Sequence, residues 1–165
     1  MKVFINKIQA KILNWQSAAE EVQAWKAAGQ RVVFTNGCFD LLHYGHIHYL
    51  SQAKDLGDRL IIGINSDQSV SRLKGAHRPI KDEKTRMCLL AALVFVDAVV
   101  LFEEDTPLDL IRQLIPHVLV KGGDWKPEQI VGSDFVIKNG GSVKSLPFIE
   151  GYSTTNYEKK IKGEN

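Results

Sequence analysis

Two cysteines in 165 residues, Cys38 and Cys88, are too few for a disulfide framework and point to a reducing compartment. No run approaches the roughly 20 apolar residues that a membrane span needs. The first ten residues intersperse Lys2, Asn6, Lys7 and Gln9 among the apolar ones, so the start is no secretory h-region. A cytoplasmic protein without a membrane partner is the expectation. The formal net charge is only +2, which leaves no broad basic footprint for a nucleic-acid partner, so any functional positive charge must be local. Repeats, low-complexity tracts and long linkers are also missing. What remains is 44% hydrophobic and 24% charged, ordinary for a globular chain of one-domain size. A single domain over residues 1–165 is expected, with residues 1–29 as a helical extension packed on it.

The apolar pattern alternates between strand-like and helix-like runs. Strands are expected at 31–35, 59–64, 97–102, 117–120 and 142–146, and helices at 17–29, 46–56, 82–94, 107–114, 130–139 and 153–161. Ser17 with Glu20 reads as a capping box, Gly29 and Gly57 as helix stops, and Asp82 and Ser153 as N-caps. The alternation predicts an α/β protein: a Rossmann-like, open, five-stranded parallel sheet with helices on both faces. Ligands of such sheets sit beyond the carboxyl ends of the strands, where the strand order reverses. That rule nominates Asn36 to Asp40, Asn65 to Asp67 and Lys121 to Trp125. The apolar face of Trp15, Val22 and Trp25 reads as core packing, with a homodimer contact as its rival.

The first strand runs into Thr35-Asn36-Gly37-Cys38-Phe39-Asp40-Leu41-Leu42-His43-Tyr44-Gly45-His46. Gly37 admits a close backbone approach to a ligand. His43 and His46, three apart at a helix start, can present their rings on one side, and Gly45 leaves room between them. A helix N-terminus offers unpaired N–H groups and partial positive charge, which suit a phosphate. His48 points elsewhere, and no Cys, Asp or Glu ligands at zinc spacing accompany the pair, so a protein-held metal site is not expected. Neither a G-x-x-x-x-G-K-[ST] loop nor a G-x-G-x-x-G turn is present, which disfavours a P-loop kinase or a dinucleotide enzyme. Arg72, Lys74, His77 and Arg78 form a basic stretch that reads as a mobile loop over phosphates, or as a plain solvated loop.

The segment TNGCFDLLHYGHIHYL resembles the signature of the HxGH nucleotidyltransferases of the cytidylyltransferase-like branch, whose usual form is GxFDxxHxGH. Downstream, GINSDQSVSRLKG, RPI, FVDAVVLFEEDTP, LVKGGDW and GYSTTNYEKKI follow in the order found in the adenylyltransferase domains of the bacterial heptose pathway. The similarity covers residues 11–161. Many bacteria fuse that domain to a sugar kinase, for which 165 residues leave no room, so a stand-alone form is expected.

The resemblance implies roles. His43 and His46 would bind the triphosphate and stabilise the transition state, and Lys74 would reach the phosphates. Thr35, Asn36, Gly37, Phe39 and Gly45 would surround nucleotide and acceptor, with Asp40 either touching ligand or only capping its loop. Asn65 and Asp67 match the second strand end. Lys121, Gly122, Asp124 and Trp125 match the segment beside the base. Ser153, Thr154 and Thr155 match a second anion-binding helix start. Some relatives carry an arginine before that start; here Glu150-Gly151-Tyr152 stands there, leaving Arg78 or Arg86 to take the part. The implied reaction moves AMP from ATP to a sugar 1-phosphate of the heptose type, with Mg²⁺ held mainly through ATP phosphates. A CTP-dependent transfer to glycerol 3-phosphate, and a nucleotide-binding module without turnover, are the alternatives.

Overall fold

The computed structural model describes residues 3–152 and 154–163, with the side chains of all but 155, 156, 159 and 162. Its elements in chain order are α1 (Val3–Gln9), β1 (Ile12–Leu13), α2 (Trp15–Ala27), β2 (Val32–Gly37), α3 (Tyr44–Lys54), β3 (Arg59–Asn65), α4 (Asp67–Lys74) and α5 (Glu83–Ala91). There follow β4 (Ala98–Phe102), α6 (Leu108–Leu114), β5 (Val118–Gly122), a 3-10 turn at Pro127–Gln129, α7 (Ser133–Lys138), β6 (Ser142–Leu146) and α8 (Thr154–Lys162). All strand pairings are parallel, in the order β1-β4-β3-β2-β5-β6.

The sheet has six strands where the sequence predicts five. The extra one, β1, is a two-residue edge pairing of Ile12 with Val99 and Leu13 with Val100. It lies inside the stretch expected to be purely helical. The helix after it starts two residues before the predicted one. Asn14, not Ser17, is its N-cap: the Asn14 side chain accepts from the Ser17 N–H at 2.8 Å, and Ser17 Oγ accepts in return from the Asn14 N–H. α4 occupies part of the stretch expected to be a loop. Ser66 caps it, and Ser69 and Val70 are its buried positions. Asp82 caps α5 as expected.

The strands alternate their side chains between two apolar layers. Val32, Phe34, Ile61, Val100 and Leu119 meet α2, α6 and α7 on one face, and Trp15 and Trp25 pack against this layer from its margin. Val33, Leu60, Ile62, Val99 and Val120 meet Tyr49, Leu50 and Ala53 of α3 and Leu90 and Ala91 of α5 on the other. The apolar face of α2 is thus spent on the core. From β2 the chain steps outward through β3 to β4, then returns to lay β5 on the opposite side of β2. The strand order reverses between β2 and β5, so Gly37 and Gly122, their last residues, border the crevice.

Candidate functional site

The turn after β2 is shaped by its glycine and its buried acid. A Cβ on Gly37 would sit 2.9 Å from the Phe39 ring, so only glycine lets that ring fold back over the strand end. Phe39 itself adopts a left-handed φ of 47°. Asp40 accepts hydrogen bonds from the Ile80 N–H at 2.9 Å and the Lys81 N–H at 3.0 Å and pairs with Arg78 at 2.8 Å. Its oxygens are taken up by residues 78–81, and it fixes that loop against the turn. Arg78 also pairs with Glu158 on α8.

α3 starts at Tyr44, with His43 as its extended N-cap residue rather than as part of the helix. The His43 Nδ1 accepts a long bond, 3.4 Å, from the His46 N–H. The two imidazoles stack with centroids 3.8 Å apart and planes at 26°. The Phe39 edge lies 5.3 Å from His46, and Tyr157 of α8 stacks on His43 at 5.7 Å. Burial, then the electrostatic influence of His43 and Lys74, lowers the His46 pKa to about 4. Burial also lowers that of His43. Both rings are therefore neutral near pH 7, each with one N–H to donate. Among the described residues the buried His46 Nδ1 finds no hydrogen-bond partner. His48 stands apart, 6.2 Å from the Tyr44 ring. Among the described residues no group of three His, Cys, Asp or Glu side chains could hold a metal ion.

Two lobes of one crevice meet at the strand ends. The histidine lobe, about 170 Å³, is bordered by His46, Lys74, Tyr49, Phe148, Gly122 and Thr154. The larger lobe, about 390 Å³, is bordered by Asn65, Leu73, Asp105, Thr106 and Trp125. Asn36, Gly37, Cys38 and Lys121 line both, and so mark the junction. Burial lowers the pKa of Lys121, and the nearby Cys38 opposes that shift. Thr154, the first residue of α8, borders the same lobe as His46.

The structure therefore brings together His43, His46, Lys74, Asn36, Gly37, Phe39, Asp40, Gly45, Lys121, Gly122 and Thr154. It places Asn65 and Trp125 on the larger lobe instead of beside the histidines. Several predicted ligand contacts are engaged within the protein. Thr35 is fully buried, and its hydroxyl meets that of Tyr49. Asp67 pairs with Arg86 at 2.7 Å, and Asp124 is exposed without lining either lobe. Ser153 and the side chain of Thr155 lie outside the described residues. Arg86 is no phosphate clamp. It is fully buried and donates to the carbonyls of Lys81, Cys38 and Asn65, tying the ends of β2 and β3 together. Arg72 pairs with Asp105 at 2.8 Å beside the larger lobe. Sequence reasoning missed Tyr49, Phe148 and Tyr157. Each is an isolated aromatic: Tyr49 reads as an ordinary buried position of α3, Phe148 follows the end of β6, and Tyr157 lies in the closing helix.

The chain matches the cytidylyltransferase-like family over residues 34–159. It is 52% identical over 154 residues to the bifunctional protein HldE of Magnetococcus marinus, covering 93% of this chain and 32% of that protein. It is 59% identical over 140 residues to the bifunctional protein HldE of Histophilus somni, covering 85% of this chain and 30% of that protein. It thus spans about a third of the length of these relatives. The crystal structure of the lipopolysaccharide core biosynthesis protein from Thermoplasma volcanium superposes with a TM-score of 0.59 at 31% identity, covering 76% of this chain and all of that one. With the crevice at the strand reversal and its stacked histidine pair, these matches make the chain a member of the cytidylyltransferase-like family.

Proposed function

We propose that this nucleotidyltransferase moves AMP from ATP to D-glycero-β-D-manno-heptose 1-phosphate, giving ADP-heptose and pyrophosphate. The observation that carries the reading is the stacked His43–His46 pair at the start of α3, whose His46 lines, with Lys74, a crevice at the sheet's switch point. An acceptor phosphate oxygen attacks the α-phosphorus in line; a new P–O bond forms as the α–β bridge breaks and pyrophosphate leaves with the electron pair. The nucleophile is already ionised near neutral pH, so the reaction needs no protein base. Catalysis is positioning and electrostatics. His43 and His46 donate to the triphosphate, Lys74 offsets charge on the leaving group, and Lys121 sits at the junction where transfer occurs.

The larger lobe supports a sugar acceptor. Asn36, Asn65, Asp105 and Thr106 offer amide, carboxylate and hydroxyl partners for a polyhydroxy ring, beside the apolar Trp125 and Leu73. The carboxylates that line the crevice, Asp40 and Asp105, are paired with Arg78 and Arg72. A Mg²⁺ would then arrive on the triphosphate rather than be held by protein carboxylates, and would supply charge neutralisation there. No helix among the described residues is long and apolar enough to cross a membrane. ATP and a sugar phosphate as substrates accord with a cytoplasmic site of action.

Pyrophosphate release is the test, with ATP or CTP against a panel of sugar and alcohol phosphates. Release with ATP and the heptose 1-phosphate alone is expected. Release with CTP and glycerol 3-phosphate would replace the substrate assignment, and ATP binding with no release for any acceptor would reduce the chain to a binding module.

A further inference from the structure

The histidine lobe holds about 170 Å³, room for phosphates but not for a whole nucleotide, so the base must lie along its rim. Bases seat on aromatic faces, and the lobe's lining contains Phe39, His46, Tyr49 and Phe148. Phe39 and Tyr49 are 6% and 3% exposed, closed into the core layer, while His46 faces the phosphates. Phe148 is 53% exposed and belongs to neither apolar layer.

A single exposed phenylalanine is ordinary on a protein surface. This one is held in place by its surroundings. It lies two residues beyond Leu146, which pairs in register with Gly122, and the Gly123 N–H donates to the Leu146 carbonyl at 2.8 Å. A Cβ on Gly122 would stand 2.6 Å from the Phe148 ring, and one on Gly123 3.3 Å, so the ring rests on bare backbone that only glycine supplies. The Tyr49 ring meets it at 6.0 Å and 74°. One side of the ring is thus braced and the rest left open, an arrangement that binds a flat partner with little further ordering.

We infer that Phe148 is the stacking platform for the nucleotide base, a residue that positions the nucleoside half while the histidine pair holds the triphosphate. This rests on the triphosphate reading above. Every base has a π-face, so the platform supplies affinity and orientation and leaves the choice between ATP and CTP to other groups. Its rival is Trp125, the aromatic of the larger lobe, whose indole N–H is committed to the Gly122 carbonyl.

Calorimetric titration of the full chain with ATP, CTP and inorganic tripolyphosphate, each with Mg²⁺, separates the cases. Phe148→Ala is expected to weaken ATP and CTP about tenfold and leave tripolyphosphate unchanged, with Phe148→Trp restoring both nucleotides. Phe148→Leu keeps the apolar bulk without the π-face and serves if the alanine variant folds poorly by circular dichroism. Equal loss for all three ligands, no loss for the nucleotides, or loss in Trp125→Ala instead would overturn the platform. A wild-type chain that binds neither tripolyphosphate nor nucleotide overturns the triphosphate reading and the platform with it. A chain that binds all three, with Phe148→Ala indifferent, overturns the platform alone.

Discussion

Arg78 holds the buried carboxylate of Asp40 at 2.8 Å, and the same guanidinium reaches Glu158 on the closing helix α8. The two pairs differ in environment. The Asp40 side chain is 1% exposed and that of Glu158 32%. Removing one partner of a buried pair strands the other charge, whereas an open pair is screened by water. Asp40→Asn is expected to lower the unfolding free energy by about 3 kcal/mol, and Glu158→Gln by less than about 1 kcal/mol. Urea titrations of the two variants compare them directly, and equal losses would contradict the assignment of Asp40 as the fixed anchor.

Arg86 carries a heavier structural load. One guanidinium bonds three carbonyls and the Asp67 carboxylate from a fully buried position, spanning the ends of β2 and β3. A lysine ammonium cannot reproduce that planar fork. Arg86→Lys should cost at least about 3 kcal/mol, because buried carbonyls lose their donors. It should also raise the KM for ATP, because Cys38 and Asn65 frame the crevice. Denaturation and steady-state kinetics on one sample read both effects, and a variant as stable as the wild type would refute the role.

His46→Ala is expected to cut turnover by about 10²-fold or more with the fold intact, as for the loss of one donor to developing charge. Circular dichroism with pyrophosphate-release kinetics checks it. Near-normal turnover in a folded variant would remove His46 from the catalytic machinery.

The same residue makes stability depend on pH. The His46 pKa falls from 6.5 unfolded to about 4 folded, first through burial and then through His43 and Lys74. Between those values the unfolded chain binds the proton and the folded one does not. The stability linked to the neutral ring is therefore full above pH 6.5 and declines as pH falls toward 4. In His46→Gln that slope should be absent, so the gap in melting temperature between wild type and variant should change between pH about 7 and about 5. His117, whose pKa is also lowered by burial, contributes equally to both proteins. Parallel melting curves at the two pH values would show that His46 is not buried neutral.

The strands β2 to β5 were legible because each contains a short apolar run, and the histidine motif because it sits directly after one; β6 offers only Val143 and Leu146 as apolar residues. β1 was not: two residues pairing at a sheet edge carry no periodicity. α4 was hidden because its eight residues are mostly polar and bury only Ser69 and Val70, so its basic C-terminal end read as a loop. The roles of Asp40 and Arg86 depend on partners 40 and 48 positions away, among them the Ile80 N–H and the Cys38 carbonyl, which local spacing does not encode. The two arginines considered as phosphate clamps proved to be already occupied for that same reason. Phe148 went unread because nothing in LPFIEGY reveals that two glycines on the neighbouring strand end lie beneath its ring.

Gly45 separates stability from function. It lies inside α3, where alanine normally favours the helix by about 0.5–1 kcal/mol. Its added Cβ, however, would stand 3.1 Å from His43 Nδ1 and 3.1 Å from the Tyr152 Cβ. The His43 ring has little freedom to yield, since it stacks on His46 at 3.8 Å and on Tyr157 at 5.7 Å. Relief must come from tilting the ring out of its stack or from moving the Tyr152 segment away from the mouth of the lobe. Either displaces groups that face the triphosphate, where small misplacements cost large factors in rate. Gly45→Ala should therefore melt no lower than the wild type yet lose about tenfold or more in kcat/KM for ATP. Loss of both together would mean that the clash is absorbed by the helix, and loss of neither that the imidazole pair needs no such gap.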